Sequence, residues 1–284
     1  MRVIDVGIRF ERIRLIDIEK DVTPAMEEPV TQFVASTDGV RIAYDVQGRG
    51  PALILLHPYG PTRRIWHESG YPERLQEHFT VITMDNRNVG ESEKPSGMAG
   101  YTIDHYLADI HAVADACGAD TFLAWGHSFG ATITTQLSAA SPRLRAAVIA
   151  GSFYGNDFHT FVQEGPLTDL QELSQAKAAG TLDTLPLRAR EFAEQTNLDE
   201  EIAFWRVLSG WPVVEPKDAR CPAYIYFGSE EENISLEQIS TRRAEVEALG
   251  MQLHVFDGLN HMQELTEIDT VLPPVLAFLK EHRG

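Results

Sequence analysis

Ser128 stands between two glycines in Gly126-His127-Ser128-Phe129-Gly130. This pentapeptide follows the apolar run Thr121-Phe122-Leu123-Ala124-Trp125 and precedes Ala131-Thr132-Ile133. A serine on a sharp strand-to-helix turn holds its hydroxyl clear of a sheet, where it can attack a carbonyl carbon. Such a turn needs flanking glycines, because side chains there would collide with the neighbouring strand and helix. Five residues recur easily by chance, so the chemistry has to be sought in their partners.

A serine hydroxyl is a poor nucleophile until a base takes its proton. Among the ten histidines, His261 is placed best, in Gly258-Leu259-Asn260-His261-Met262 between an apolar strand pattern and the C-terminal helix. Its loop would emerge at the same carboxyl edge of a parallel sheet as the turn at Ser128. His105 and His111 fall on the solvated face of a helix, His78 and His282 near helix ends, and His159 at the start of a helical stretch. The base needs an acid to fix its tautomer. The run Gly228-Ser229-Glu230-Glu231-Glu232-Asn233 supplies glutamates at the same edge, and Asp157 is a more distant candidate. An oxyanion requires backbone N–H donors. Phe129 supplies one, directly after the nucleophile. The other is expected from His57-Pro58-Tyr59-Gly60; Pro58 has no N–H, which leaves Tyr59.

These groups need a sheet to place them. Thr31 to Ser36 and Val40 to Val46 read as two strands joined at Thr37-Asp38-Gly39, a hairpin signal. Ala52 to Leu56 is a continuous apolar run, as in a strand buried on both faces. Phe79 to Met84, Thr121 to Trp125, Arg145 to Ala150, Tyr224 to Phe227 and Gln252 to Phe256 complete the strands. A helix is expected from Thr102, with apolar residues at three- and four-residue spacing up to Cys117 and Gly118 just beyond it. Leu236 to Leu249 and Val271 to Leu279 read as further helices, with Pro273 and Pro274 near the start of the second. The expectation is an α/β fold with an open, mostly parallel sheet of about eight strands flanked by helices. Residues 154–217 break the alternation with helical stretches only and read as an inserted helical cap. The core then comprises 31–153 and 218–284, with 1–30 as an N-terminal extension and Met26 as a candidate natural start.

In order along the chain, the motifs resemble those of the α/β-hydrolase family from Thr31 to the end. His57-Pro58-Tyr59-Gly60 matches its H-G-x-G loop. Asp85 to Ser92 matches its D-x-R-G-x-G-x-S loop, and the serine pentapeptide and Gly258 to His261 follow in the order Ser, acid, His. Pro58 and Asn88 each stand where the family has glycine. The family's G-x-x-D is Gly228-Ser229-Glu230-Glu231 here, so ungapped matching favours Glu231 as the acid; one extra residue would make it Glu232. The resemblance implies a carboxylesterase-like serine hydrolase in which Ser128, His261 and Glu231 form the triad and the Tyr59 and Phe129 amides hold the oxyanion. The same triad in the family also serves carbon–carbon bond hydrolases, lactonases and perhydrolases, and some members bind ligands without turnover. Serine at position 128 disfavours the dehalogenase and epoxide-hydrolase branches, which use aspartate there.

Composition limits the partners. A net charge of −18 argues against nucleic acid and anionic membranes, leaving a small, neutral or weakly charged molecule as substrate. No run of about 18 apolar residues spans a bilayer, and Met1 to Lys20 is too charged for a secretory leader. Cys117 and Cys221 are expected as buried, reduced thiols of a cytoplasmic protein. No metal or organic cofactor is expected, since neither H-E-x-x-H, C-x-x-C, G-x-G-x-x-G after a strand nor a Walker loop occurs. The oligomeric state is not written in these motifs. Phe204, Trp205 and Trp211 fit either the wall of an apolar pocket or the inserted segment's own core.

Overall fold

A computed structural model describes residues 29–232 and 234–283; the stretch read as an N-terminal extension, with its candidate start at Met26, lies almost wholly outside them. Eight strands form one open sheet in the order β1-β2-β4-β3-β5-β6-β7-β8. They are β1 (Gln32–Ala35), β2 (Arg41–Gly48), β3 (Ala52–Leu56), β4 (Thr80–Met84), β5 (Phe122–His127), β6 (Leu144–Ala150), β7 (Ala223–Gly228) and β8 (Gln252–Phe256). β1 and β2 pair antiparallel about the Asp38-Gly39 turn, β2 pairs antiparallel with β4, and all other pairings are parallel. The carboxyl ends of β3 through β8 therefore share one edge.

Helices cover both faces because the central strands are apolar on both. The short helices α1 (Arg64–Glu68) and α2 (Tyr71–Leu75) follow β3. α3 (Ile103–Ala116) precedes β5 and α4 (Phe129–Ala140) follows it. On one face Leu53, Leu55, Trp125, Val148 and Tyr226 pack with Trp66 and Tyr71 from α1 and α2. The C-terminal helix, Ile268–Glu281, adds Val271, Leu272, Val275 and Phe278 to the same core. The alternate residues Ile54, Ala124, Ile149 and Ile225 are equally buried and turn to the opposite face, where α4 lies against β3, β5 and β6. Each large side chain buried this way contributes about 1.5–3 kcal/mol.

The C-terminal helix starts three residues before Val271, so Pro273 and Pro274 sit inside it rather than near its start. Two intrahelical bonds are lost there, and the buried apolar face of the helix holds it in place. Cys117 and Cys221 are half-buried, not fully buried as expected; both are free, and burial pushes their thiols up to about 11 and about 12.

The described chain divides into two compact units, and the sheet with its flanking helices is one of them. The other comprises 97–102 and 159–212. This second unit is narrower than 154–217 because Gly155 N–H bonds the Val214 carbonyl at 2.7 Å within the sheet unit. Its helices run Asp157–Glu164 (α5), Pro166–Ala179 (α6), Leu187–Gln195 (α7) and Leu198–Leu208 (α8), with α5 starting in the sheet unit. Trp205 and Trp211 are buried, Phe161 and Phe204 pack on Trp205, Phe204 packs edge-on to Tyr101, and the Trp211 indole donates to the Tyr101 carbonyl. These aromatics form the unit's own core. Between β7 and the C-terminal helix lie α9 (Leu236–Ala248) and α10 (Gln263–Thr266), which makes the C-terminal helix α11.

Candidate active site

Ser128 joins β5 to α4 with φ 55° and ψ −114°, a backbone state that costs a non-glycine residue about 1–3 kcal/mol. Its neighbours make that state possible. A Cβ on Gly126 would collide with the Gly130 carbonyl, and one on Gly130 would collide with the Leu56 carbonyl at the end of β3. Ser128 N–H bonds the Ala150 carbonyl at 2.8 Å, and its own carbonyl accepts Thr132 N–H at 3.0 Å, the first hydrogen bond of α4. The turn is thus clamped between β6 and the helix it begins.

His261 lies in the loop after β8, and its Nδ1 is 2.7 Å from Oε2 of Glu231. The Glu231 side chain is fully buried. A carboxylate only accepts, so Nδ1 carries a hydrogen, which leaves Nε2 as the ring nitrogen placed to serve as a base. The two loops are zipped together: Ser229 N–H bonds the Phe256 carbonyl at 2.8 Å and Glu230 N–H bonds the Leu259 carbonyl at 2.9 Å. Glu232, the neighbouring candidate, instead accepts from the backbone N–H of His261 at 3.4 Å. Asp157, the third, pairs with Arg242 at 2.8 Å. Of the three carboxylates considered, Glu231 is the one the fold brings to the imidazole.

The loop after β3 is shaped by His57, which is buried. Its Nε2 accepts Asn86 N–H at 3.0 Å, so its Nδ1 carries the hydrogen and donates to the Pro58 carbonyl at 2.8 Å. Burial lowers its pKa, in keeping with this neutral form. In a trans peptide the C=O and the next N–H point in opposite directions, and no cis peptide is present among the described residues. Anchoring the Pro58 carbonyl on His57 therefore turns Tyr59 N–H away from that ring. The second expected donor, Phe129 N–H, lies in the first turn of α4, where a helix offers no acceptor of its own. The Tyr59 and Phe129 rings meet edge-on at 6.3 Å.

Asp85, after β4, ties this loop to the next. It accepts from Arg63 N–H at 2.8 Å and Glu91 N–H at 2.9 Å, and the Arg63 guanidinium spans Asp85 and Asp45. Gly90 is glycine because a Cβ there would strike the Asp85 carboxyl. Arg87 is fully buried and grips Asp109 with two hydrogen bonds of 2.6 and 2.8 Å. Asn88, standing where the family has glycine, has φ 65°, which asparagine tolerates.

Three residues beside the site were not found in the sequence. His127 is fully buried, and its Nε2 donates to the His261 carbonyl at 2.8 Å. Glu264, on α10, is fully buried and accepts Gly228 N–H at 2.7 Å. Gly151, after β6, has φ 63°, and a Cβ there would lie 2.7 Å from His261 Cε1 and 2.7 Å from Glu264 Oε2. Metal-ligand atoms of His127, His261 and Glu264 come within 4.8 Å of one another. Two of these atoms are already engaged, His127 Nε2 with the His261 carbonyl and His261 Nδ1 with Glu231.

Residues 51–200, more than half of the chain, match the family model described as alpha/beta hydrolase fold. An uncharacterized protein of Mycobacterium tuberculosis is 31% identical over 134 residues, 47% of this chain; the match spans only 37% of that protein's length. A second M. tuberculosis protein, BpoC, whose name describes a non-heme bromoperoxidase, is 26% identical over 188 residues, covering 64% of this chain and 69% of its own. Among solved structures, epoxide hydrolase VrEH1 from Vigna radiata superposes with a TM-score of 0.66 at 18% identity, covering 91% of this chain and 100% of that one. At that identity the likeness concerns the fold alone. No helix among the described residues is long and apolar enough to cross a membrane.

Proposed function

The chain belongs to the α/β-hydrolase fold family, and from that premise we propose that it is a serine hydrolase cleaving small carboxylic esters through an acyl-enzyme. The observation that carries the reading is a buried carboxylate holding Nδ1–H of His261, on a loop tied by its carbonyl to His127, the residue before a strained serine at the head of α4. His261 Nε2 takes the Ser128 hydroxyl proton as Oγ attacks the ester carbonyl. The oxyanion of the tetrahedral adduct is received by the Tyr59 and Phe129 amides, each donor being worth roughly 10²–10³ in rate. Collapse expels the alcohol, protonated by His261, and water activated by the same ring then releases the acid. Glu231 keeps its negative charge and supports the imidazolium.

Epoxide opening through an ester intermediate uses a carboxylate nucleophile, and position 128 holds a hydroxyl, so the Vigna radiata likeness does not extend to that chemistry. The BpoC match favours one second reading: hydrogen peroxide replaces water in the deacylation and a peracid leaves. Two free thiols fit a reducing, cytoplasmic compartment.

Turnover of p-nitrophenyl acetate by the wild-type chain and by Ser128→Ala tests the central step. The variant should be inactive, and undiminished turnover would overturn the assignment. Adding peroxide with a dye that reports peracid then separates the two readings.

A further inference from the structure

Glu264 is fully buried directly behind the proposed triad acid, and its two oxygens are treated unequally. Oε1 takes the Gly228 N–H at 2.7 Å. Oε2 is buried, and no donor among the described residues reaches it. His127 Nε2 is 3.7 Å away, but its single hydrogen is committed to the His261 carbonyl at 2.8 Å. Among the carboxyl groups beside it, that of Glu231 acts on it most strongly. If both groups were ionised, acceptor would face acceptor in a dry site, and like charges that close cannot both persist.

One proton resolves the conflict. Glu231 has the Nδ1–H of His261 to support its charge, so the charge stays there and the proton stays on Glu264. Oε2 then becomes a donor with an acceptor in front of it. The backbone around Glu264 is fixed independently. Its N–H bonds the Asn260 carbonyl at 3.1 Å, and its carbonyl accepts from the Tyr226 hydroxyl at 3.2 Å, which in turn accepts the Trp125 indole N–H.

We propose that Glu264 is a positioning residue: through its acid proton it hydrogen-bonds Glu231 and holds that carboxylate against Nδ1 of His261. The acid of this site is then a carboxyl–carboxylate pair sharing one negative charge. The titratable groups facing Glu264 are Glu231 and Glu232 after β7, Tyr226 on β7, His127 on β5 and His261 after β8. Burial, and after it the charges of Glu231 and Glu232, push the Glu264 carboxyl well above its ordinary range. The catalytic part of this proposal rests on the serine-hydrolase reading; the shared proton does not.

The test compares Glu264→Gln with Glu264→Leu. Glutamine can accept Gly228 N–H through its carbonyl and donate to Glu231 through its amide; leucine can do neither. Fluorophosphonate labelling of Ser128 in Glu264→Gln should proceed at the wild-type rate with the wild-type pH profile, whereas Glu264→Leu should label about 10²-fold more slowly. A glutamine variant as slow as the leucine one, a shifted pH profile in the glutamine variant, or a leucine variant at the wild-type rate would each overturn the proposal.

Thermal unfolding supplies an arm that needs no turnover. Folded Glu264 keeps a proton that the unfolded chain releases above about pH 4.3, so this group lowers wild-type stability as pH rises. The Tm of Glu264→Gln minus that of wild type should therefore grow from pH 4.5 to pH 8. A difference that stays flat or shrinks means that Glu264 is ionised, and the proposal fails. If wild-type Ser128 does not label at all, the hydrolase reading fails and the unfolding arm still judges the shared proton.

Discussion

His127 donates its Nε2 hydrogen to the carbonyl of His261, 2.8 Å away, and the two rings lie 4.8 Å apart. The residue preceding the proposed nucleophile thus fixes the loop that carries the proposed base. Because a carbonyl only accepts, His127 needs just one hydrogen. Its Nδ1 is buried without a partner among the described residues, and burial, with the neighbouring His261, pushes its pKa down to about 3.

This ring makes the fold acid-sensitive. The unfolded chain binds a proton on His127 below about pH 6.5, and the folded chain does not until about pH 3. Its stabilising contribution is complete above pH 6.5 and is lost as pH falls toward 3, by roughly 1.4 kcal/mol per pH unit. Urea unfolding of wild type and His127→Gln at pH 7, 6, 5 and 4 measures it. The wild type should lose stability faster on acidification; parallel curves would contradict a neutral His127. His57, whose pKa is also lowered by burial, adds a slope of the same sign.

The acid is identified by single amide substitutions. Glu231→Gln should lower kcat by about 10³-fold or more, because the wrong tautomer of His261 is then held. Glu232→Gln, which alters the acceptor of the His261 backbone N–H at 3.4 Å, should change kcat less than about tenfold. Asp157→Asn should lower Tm by weakening its pairing with Arg242 and leave kcat near wild type. Steady-state kinetics on p-nitrophenyl acetate rank the three.

Gly151 sets the room for the imidazole. Alanine there meets both a positive φ and the ring of His261 at 2.7 to 2.9 Å. The expected cost is about 1–3 kcal/mol in stability and about 10² in kcat, since small displacements of a base are expensive. A folded Gly151→Ala variant with wild-type kcat would contradict this placement.

His57 is expected to act through the loop it shapes. His57→Ala removes the partner of both Asn86 N–H and the Pro58 carbonyl, costing about 1–3 kcal/mol for each group left unpaired. Release of the Pro58–Tyr59 peptide should lower kcat by roughly 10² with KM little changed. A rise in KM alone would show that the loop binds the ester without supporting its oxyanion.

Much of this architecture is legible in the chain because it rests on local signals. The two-face burial of Ala52 to Leu56 and the Asp38-Gly39 turn are written in a few consecutive residues, and each is found where expected. The place of His261 is legible because its loop follows a strand and precedes the last helix. The rest depends on contacts between distant residues. Glu231 and Glu232 are adjacent in sequence, and only the pairing of their loop with the one at Leu259 turns the first toward the imidazole. His127 meets His261 across 134 positions, and Gly228 meets Glu264 across 36. Gly151 resembles any glycine after a strand until the ring beside it is seen. The cysteines were expected deeper than they lie, because apolar neighbours in sequence do not set the depth of a helix end or a loop.

The central claim is that Ser128 is an activated nucleophile, and peptide mapping by mass spectrometry after treatment with a fluorophosphonate tests it most directly. One adduct per chain is expected, located on Ser128 and absent from Ser128→Ala and, within the same exposure, from His261→Ala. A wild-type chain that stays unmodified, or carries its adduct on another residue, would contradict it.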